Sequence, residues 1–228
     1  MSQDNVVNNY DTLMSSANAK LNAGQFIDSA DDFANATEEA RSTYEKACAY
    51  QMMGVALRLD GHSTQVALIA FGIASDLSED GEELQYRIER DGAMLFADIN
   101  ELLIAYQMLW SSYKGLEGLG SKTEAAISLA VLGRVVNRLG DKDEAFRLMI
   151  RADRHLRASD SRTYELNNLV WLLKLVNPLA RLALLPRVIR LIRQTGQRRR
   201  LAELALLVIG GNPLYDYADR LRRRRTGS

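Results

Sequence analysis

The first proline of this 228-residue chain is Pro178. Proline removes a backbone donor and its ring clashes with the carbonyl four residues earlier. Its absence over so long a stretch, with Pro186 and Pro213 the only others, leaves the chain open to continuous helices. The sequence is 47% hydrophobic, which at this length allows a substantial buried core. The expected fold class is all-α.

Self-similarity then organises the helices. In Leu129 to Ala152, LAVLGRVVNRLGDKDEAFRLMIRA, the residues Leu129, Leu132, Val136 and Leu139 recur at helical spacing. Gly140-Asp141 interrupts, and Ala145, Met149 and Ala152 mark a second helix. Small residues at Gly133, Ala145 and Ala152 let the two helices approach closely, so the segment reads as a helical hairpin. A second copy runs from Tyr50 to Ala74, with Met53, Gly54 and Leu57 before an Asp60-Gly61 turn and Ala67 and Phe71 after it. A weaker copy spans Leu13 to Ala36, with Ala17, a turn at Asn22-Ala23-Gly24, then Phe26 and Phe33. Between the good copies, Tyr86 to Leu109 offers Ala93, Leu102, Tyr106 and Leu109, without a glycine at its turn.

This order of bulky, Leu-Gly, turn-Gly, Ala, aromatic and Ala positions resembles the tetratricopeptide repeat (TPR), a helix-turn-helix unit of about 34 residues. Ala67 and Ala145 are 78 residues apart, so two steps average 39 and the helices or loops must be longer. The resemblance implies a right-handed α-hairpin solenoid of about four TPR-like units over residues 1–158. Residues 159–228 would form an Arg-rich helical extension or cap. Any α-hairpin array would share this periodicity, and in either case each hairpin needs a neighbour to cover its apolar face.

The resemblance also implies that first helices line a concave surface and hold a peptide or protein segment. Carried over position by position, the ligand-contacting residues are Asn18 and Asn22 in the first unit and Gln51 and Arg58 in the second. The third unit offers Arg87, beside Asp91, and the fourth Arg134, Asn137 and Arg138. A guanidinium grips carboxylates in a fork and an amide bonds to peptide backbone, so these residue types suit that task. The lysine-and-asparagine clamp for a C-terminal carboxylate is not reproduced.

In the last segment, Asp160 or Ser161 can cap a helix to about Val176. Pro186 suits the first position of a helix ending near Gln194. A further helix is expected over Arg198 to Ile209, closed by Gly210-Gly211, and a last one after Asn212-Pro213.

A formal net charge of zero conceals an asymmetry. Residues 1–119 hold 19 Asp and Glu against 7 Lys and Arg, whereas residues 120–228 hold 10 against 22. In the basic half arginine outnumbers lysine 19 to 3. Arg187, Arg190, Arg193, Arg198, Arg199, Arg200, Arg222, Arg223, Arg224 and Arg225 form an alternative anion-binding set, for nucleic-acid phosphates or anionic lipid. Opposite charge in the two halves also permits head-to-tail self-association.

Catalytic constellations are not expected. His62 and His155 lie on different repeats with no second ligand at metal spacing, and Cys48 reads as a buried, inert thiol. Gly115-Leu116-Glu117-Gly118-Leu119-Gly120 lacks the lysine of a phosphate loop and reads as a flexible linker between repeats. The cluster Glu79 to Glu83 does not match a calcium loop and reads as a solvated connection. No secretory signal pattern opens the sequence, and no apolar run is long enough to span a membrane. The expectation is a cytoplasmic, non-catalytic adaptor without metal or cofactor, peripheral at a membrane if the arginines meet lipid.

Overall fold

A computed structural model describes residues 9–197 together with Leu201, Leu204 and Ala205. Within them the chain is a succession of α-helices: α1 (Asn9–Ala23), α2 (Phe26–Glu39), α3 (Thr43–Asp60), α4 (Thr64–Leu77), α5 (Glu83–Asp98), α6 (Leu102–Gly118), α7 (Lys122–Arg138), α8 (Lys142–Ala158), α9 (Arg162–Leu175) and α10 (Pro178–Thr195). None is long and apolar enough to cross a membrane.

The starts and stops follow local chemistry. Ser42 accepts a hydrogen bond from the Glu45 amide at 3.1 Å, and Asp141 accepts one from the Glu144 amide at 2.9 Å. Asn177 does the same for Ala180 at 2.9 Å, with Pro178 at the first helical position. Left-handed residues end the first helix of each of four hairpins: Gly24, Gly61, Asn100 and Gly140. Asn100, with φ of 71°, is the only such residue other than glycine among the described residues. It fills the turn where no glycine stands, because a short amide side chain tolerates this conformation.

Counting back from these turns exposes the repeat. Seven residues before each lies a small residue, Ala17, Gly54, Ala93 or Gly133. Nine residues after (ten in the longer α3/α4 turn) lies a large one, Phe33, Phe71, Leu109 or Met149. All eight are buried. A methyl group added at Gly54 would stand 2.9 Å from the Phe71 ring, and one at Gly133 would stand 2.8 Å from Met149 and 3.2 Å from the Ala145 carbonyl oxygen. The glycines therefore sit where the two helices of a hairpin cross.

The helices form two compact units, divided at Gly115/Leu116 within α6. In the first, hairpins α1/α2, α3/α4 and α5/α6 bury Ala17, Phe33, Ala67, Phe71, Leu84 and Leu95. In the second, α7/α8 and α9/α10 follow the end of α6, and Met149, Leu166, Leu169, Leu173, Val188 and Leu191 form its core. The 158/159 junction expected between repeats and cap falls between α8 and α9, inside this second unit.

Three local expectations are corrected. Gly115 to Gly118 is helical, not a flexible linker, and only the turn around Gly120 breaks the chain. A side chain at Gly115 would overlap the Tyr86 ring, so this glycine serves packing of α6 on α5. The Ser112 hydroxyl supports the same contact by donating to the Tyr86 carbonyl at 2.7 Å. Pro186 does not start a helix; it lies inside α10, which begins at Pro178. The donor lost there would have served Leu182, on the exposed side of α10, where water can replace it. In α6 the buried residues are Ala105, Leu109, Ser112, Tyr113 and Leu116, while Tyr106 is exposed.

Candidate partner-binding surface

Along α3 the residues Tyr44, Cys48, Gln51, Val55 and Arg58 succeed one another at intervals of three or four, forming one face. On α5 the corresponding face holds Arg87, Asp91, Met94 and Asp98. The two faces meet in a polar seam. Gln51 donates to Asp91 at 2.8 Å, and Arg58 donates to Asp98 at 2.8 Å. Each pair is separated by 40 residues, one more than the step from Gly61 to Asn100. Arg90 closes on the other oxygen of Asp91 at 3.0 Å.

The seam is graded from buried to exposed. Gln51, Arg90 and Asp91 are buried, and the Gln51 carbonyl oxygen has no hydrogen-bond partner. Tyr44 and Asp98, at opposite ends, are exposed. Burial pushes the Cys48 thiol up, only partly opposed by the Tyr44 hydroxyl, which donates to it, and by the nearby Arg87. A thiol so placed stays protonated, in keeping with a packing role.

The other sequence-derived positions fall as follows. Asn18 is half-buried and spends its amide on the Met14 carbonyl of its own helix at 2.7 Å. Asn22 is exposed at the end of α1. In the second unit Arg134 and Asn137 are half-buried and Arg138 is exposed, all near the C-terminal end of α7. The Arg134 guanidinium lies 5.9 Å from the centre of the Trp171 ring on α9, and the Lys174 ammonium lies 3.8 Å from it. These are cation–π distances. The structure thus joins Gln51, Arg58 and Arg87 along one seam and Arg134 to an aromatic ring.

Sequence reasoning missed Asp98, Tyr44 and Trp171 as members of these surfaces. A signal was available for Asp98, which follows Asp91 by seven residues on the α5 face.

The alternative anion-binding set divides. Arg187 is committed to its own chain: it donates to both oxygens of Asp153, at 2.9 and 2.8 Å, and to Glu165 at 2.9 Å. Burial opposes its charge, but the bonds to Asp153 and Glu165 outweigh this and hold its pKa above the ordinary arginine value. Arg157 and Arg162 add further bonds to the same carboxylates. Arg190 and Arg193 are exposed on α10. Arg198, Arg199, Arg200, Arg222, Arg223, Arg224 and Arg225 lie outside the described residues.

Solved structures share this arrangement of paired helices. A Rap protein complexed with Competence and Sporulation Factor matches 94% of this chain with a TM-score of 0.66 and 15% identity. Aspartyl phosphate phosphatase F from Bacillus subtilis matches 93% with a TM-score of 0.69 and 13% identity. The TPR-like repeats of a putative kinesin light chain from Podosopora anserina match 87%, with a TM-score of 0.55 and 14% identity. This is a TPR-like fold. The chain spans 57% and 60% of the first two structures and 92% of the third. No protein-family profile and no curated protein matches the sequence. At such identities the likeness concerns the TPR-like fold alone.

Proposed function

We propose that the chain is a non-catalytic interaction scaffold that holds a peptide or protein segment along the first helices of its hairpins. The observation that carries the reading is the α3/α5 seam. Gln51–Asp91 and Arg58–Asp98 keep polar side chains of successive repeats side by side, with Tyr44 and Asp98 exposed at its two ends. A buried pair, Gln51–Asp91, and a more exposed one, Arg58–Asp98, fix the geometry of a polar strip before any partner arrives, which lowers the ordering cost of binding. Tyr44 offers a rigid aromatic contact and Asp98 a carboxylate, while Arg134 beside Trp171 offers a cation and a ring in the second unit. A Rap protein of similar fold has been crystallised with Competence and Sporulation Factor, which supports a partner of protein or peptide type here.

The test is selection of binders from a displayed peptide library on the full chain, followed by affinity measurement on variants. Tyr44→Ala with Asp98→Lys, and Arg134→Glu with Arg138→Glu, change first-helix positions. Val66→Ser with Ile69→Ser changes exposed residues of the second helix α4. The reading expects a loss of tenfold or more in at least one first-helix pair, with helicity unchanged, and no loss for the α4 pair. Binders that tolerate both first-helix pairs, or depend only on α4, would overturn it.

A further inference from the structure

Two helices of this chain carry unmixed and opposite charge. α2 contains five Asp and Glu and no Lys or Arg, whereas α10 contains Arg181, Arg187, Arg190 and Arg193 and no Asp or Glu. Part of each set is engaged internally: Lys20 pairs with Asp32 at 2.6 Å, and Arg187 holds Asp153 and Glu165. The side chains of Asp28, Asp31, Glu38 and Glu39 on α2, and of Arg190 and Arg193 on α10, make no ion pair or hydrogen bond with the described residues.

The unengaged charges lie on exposed stripes that also carry apolar side chains, and in the same order. On α10, Leu179 (79% exposed) and Leu182 (55%) lead through Pro186 to Arg190 and Arg193. On α2, Ile27 (47% exposed) and Asp31 lead through Asn35 to Glu38. Leu182 and Arg193 are eleven residues apart, as are Ile27 and Glu38, a distance of about 16 Å along a helix. Laid side by side in the same direction, the stripes set Leu182 on Ile27 and Arg193 on Glu38, with Arg190 opposite Asn35 and about one turn from both Asp31 and Glu38. In the opposite direction they would set leucine on carboxylate.

We propose that α10 of one copy docks on α2 of a second copy of this chain. Charge complementarity and matched spacing select this occupant. An anionic lipid or nucleic-acid surface would satisfy Arg190 and Arg193, but would give no role to the matching α2 stripe. The contact joins unlike stripes, so each copy can engage others through both, closing into a dimer or ring or extending into a filament. This inference stands apart from the peptide-binding reading, because neither stripe includes the α3/α5 seam or Arg134.

Sedimentation of the full chain over a concentration series at low salt tests it. The average mass should rise above that of a monomer with concentration and fall back in high salt, as exposed charge pairs are screened. Arg190→Glu with Arg193→Glu, and Glu38→Arg with Glu39→Arg, should each weaken association at least tenfold while circular dichroism stays unchanged. An equimolar mixture of the two variants should associate again, because each reversed stripe meets its reversed counterpart. If either reversal disturbs folding, the Gln substitutions at the same positions should still weaken association without charge reversal. A wild-type chain that remains monomeric throughout overturns the proposal, as does a mixture of folded variants that fails to recover. Binding of Arg190 and Arg193 to phosphatidylserine vesicles or duplex DNA, by a chain that stays monomeric, overturns it in favour of an anionic surface.

Discussion

Gly54 on α3 and Phe71 on α4 approach so closely that a methyl group on the glycine would stand 2.9 Å from the ring. Alanine is the better helix former by about 1 kcal/mol, yet overlap in a packed crossing costs about 1–3 kcal/mol. Gly54→Ala should therefore lower stability by about 1 kcal/mol, and Gly54→Leu by more, in urea titrations. Ala93 and Leu109 occupy the equivalent positions of α5/α6. Gly54→Ala combined with Phe71→Leu reproduces that pair, and should recover much of the loss. Ala17 does face Phe33 in the first hairpin, but its turn lacks the extra residue of α3/α4.

Such crossings were legible in the sequence because they depend on spacing alone. A small residue one register before the turn and a large one after it mark Gly54 and Gly133 directly, and the TPR-like fold follows from their repetition. Long-range contacts were not legible in this way. Gly115 looked like part of a linker because a cluster of glycines has the composition of one. Its cause is the Tyr86 ring, 29 residues earlier. Pro186 looked like a helix start because proline favours one, whereas Asn177 and Pro178 had already supplied it. Of the candidate surface, Gln51, Arg58 and Asp91 could be named from the register, but the pairing of Gln51 with Asp91 and of Arg58 with Asp98 is set by how one hairpin stacks on the next.

Asn100 gives a second check on the repeat. Its φ of 71° disfavours any residue with a branched Cβ, at a cost of about 1–2 kcal/mol. Its backbone N–H donates to the Ala97 carbonyl at 3.0 Å, and the backbone N–H of Glu101 donates to the Phe96 carbonyl at 2.9 Å, closing the end of α5. Asn100→Gly should lie within about 0.5 kcal/mol of wild type, while Asn100→Val should lose about 1–2 kcal/mol by denaturant titration.

Glu89 on α5 should make stability depend on pH. Burial raises its pKa, and the hydrogen bond from Ser111 only partly offsets this; one carboxyl oxygen has no hydrogen-bond partner. A folded-state pKa above the unfolded value means that the native state holds the proton more tightly. The stabilisation is therefore complete below the unfolded value of about 4.3 and is lost as pH rises through the folded value. Glu89→Gln keeps the neutral form at every pH. Its melting temperature relative to wild type should rise between pH 4 and pH 8, and a constant difference across that range would show that burial of the charge is not the cause.

Arg187 is the residue whose loss should be most costly. It reaches from α10 to Asp153 on α8 and Glu165 on α9, carboxylates whose side chains are each only 4% exposed. Removing the guanidinium leaves two buried negative charges to Arg157 and Arg162, which lie nearer to solvent. Breaking a buried pair from one side typically costs about 3–5 kcal/mol, whereas replacing all members by apolar groups of similar volume is often neutral or better. Arg187→Met should thus lower stability by several kcal/mol, on the order of 3–5. Asp153→Leu and Glu165→Leu added to Arg187→Met should return most of it. Chemical denaturation of the single and triple variants decides the matter: a triple variant no more stable than the single one would mean that the arginine holds α10 by packing rather than by charge.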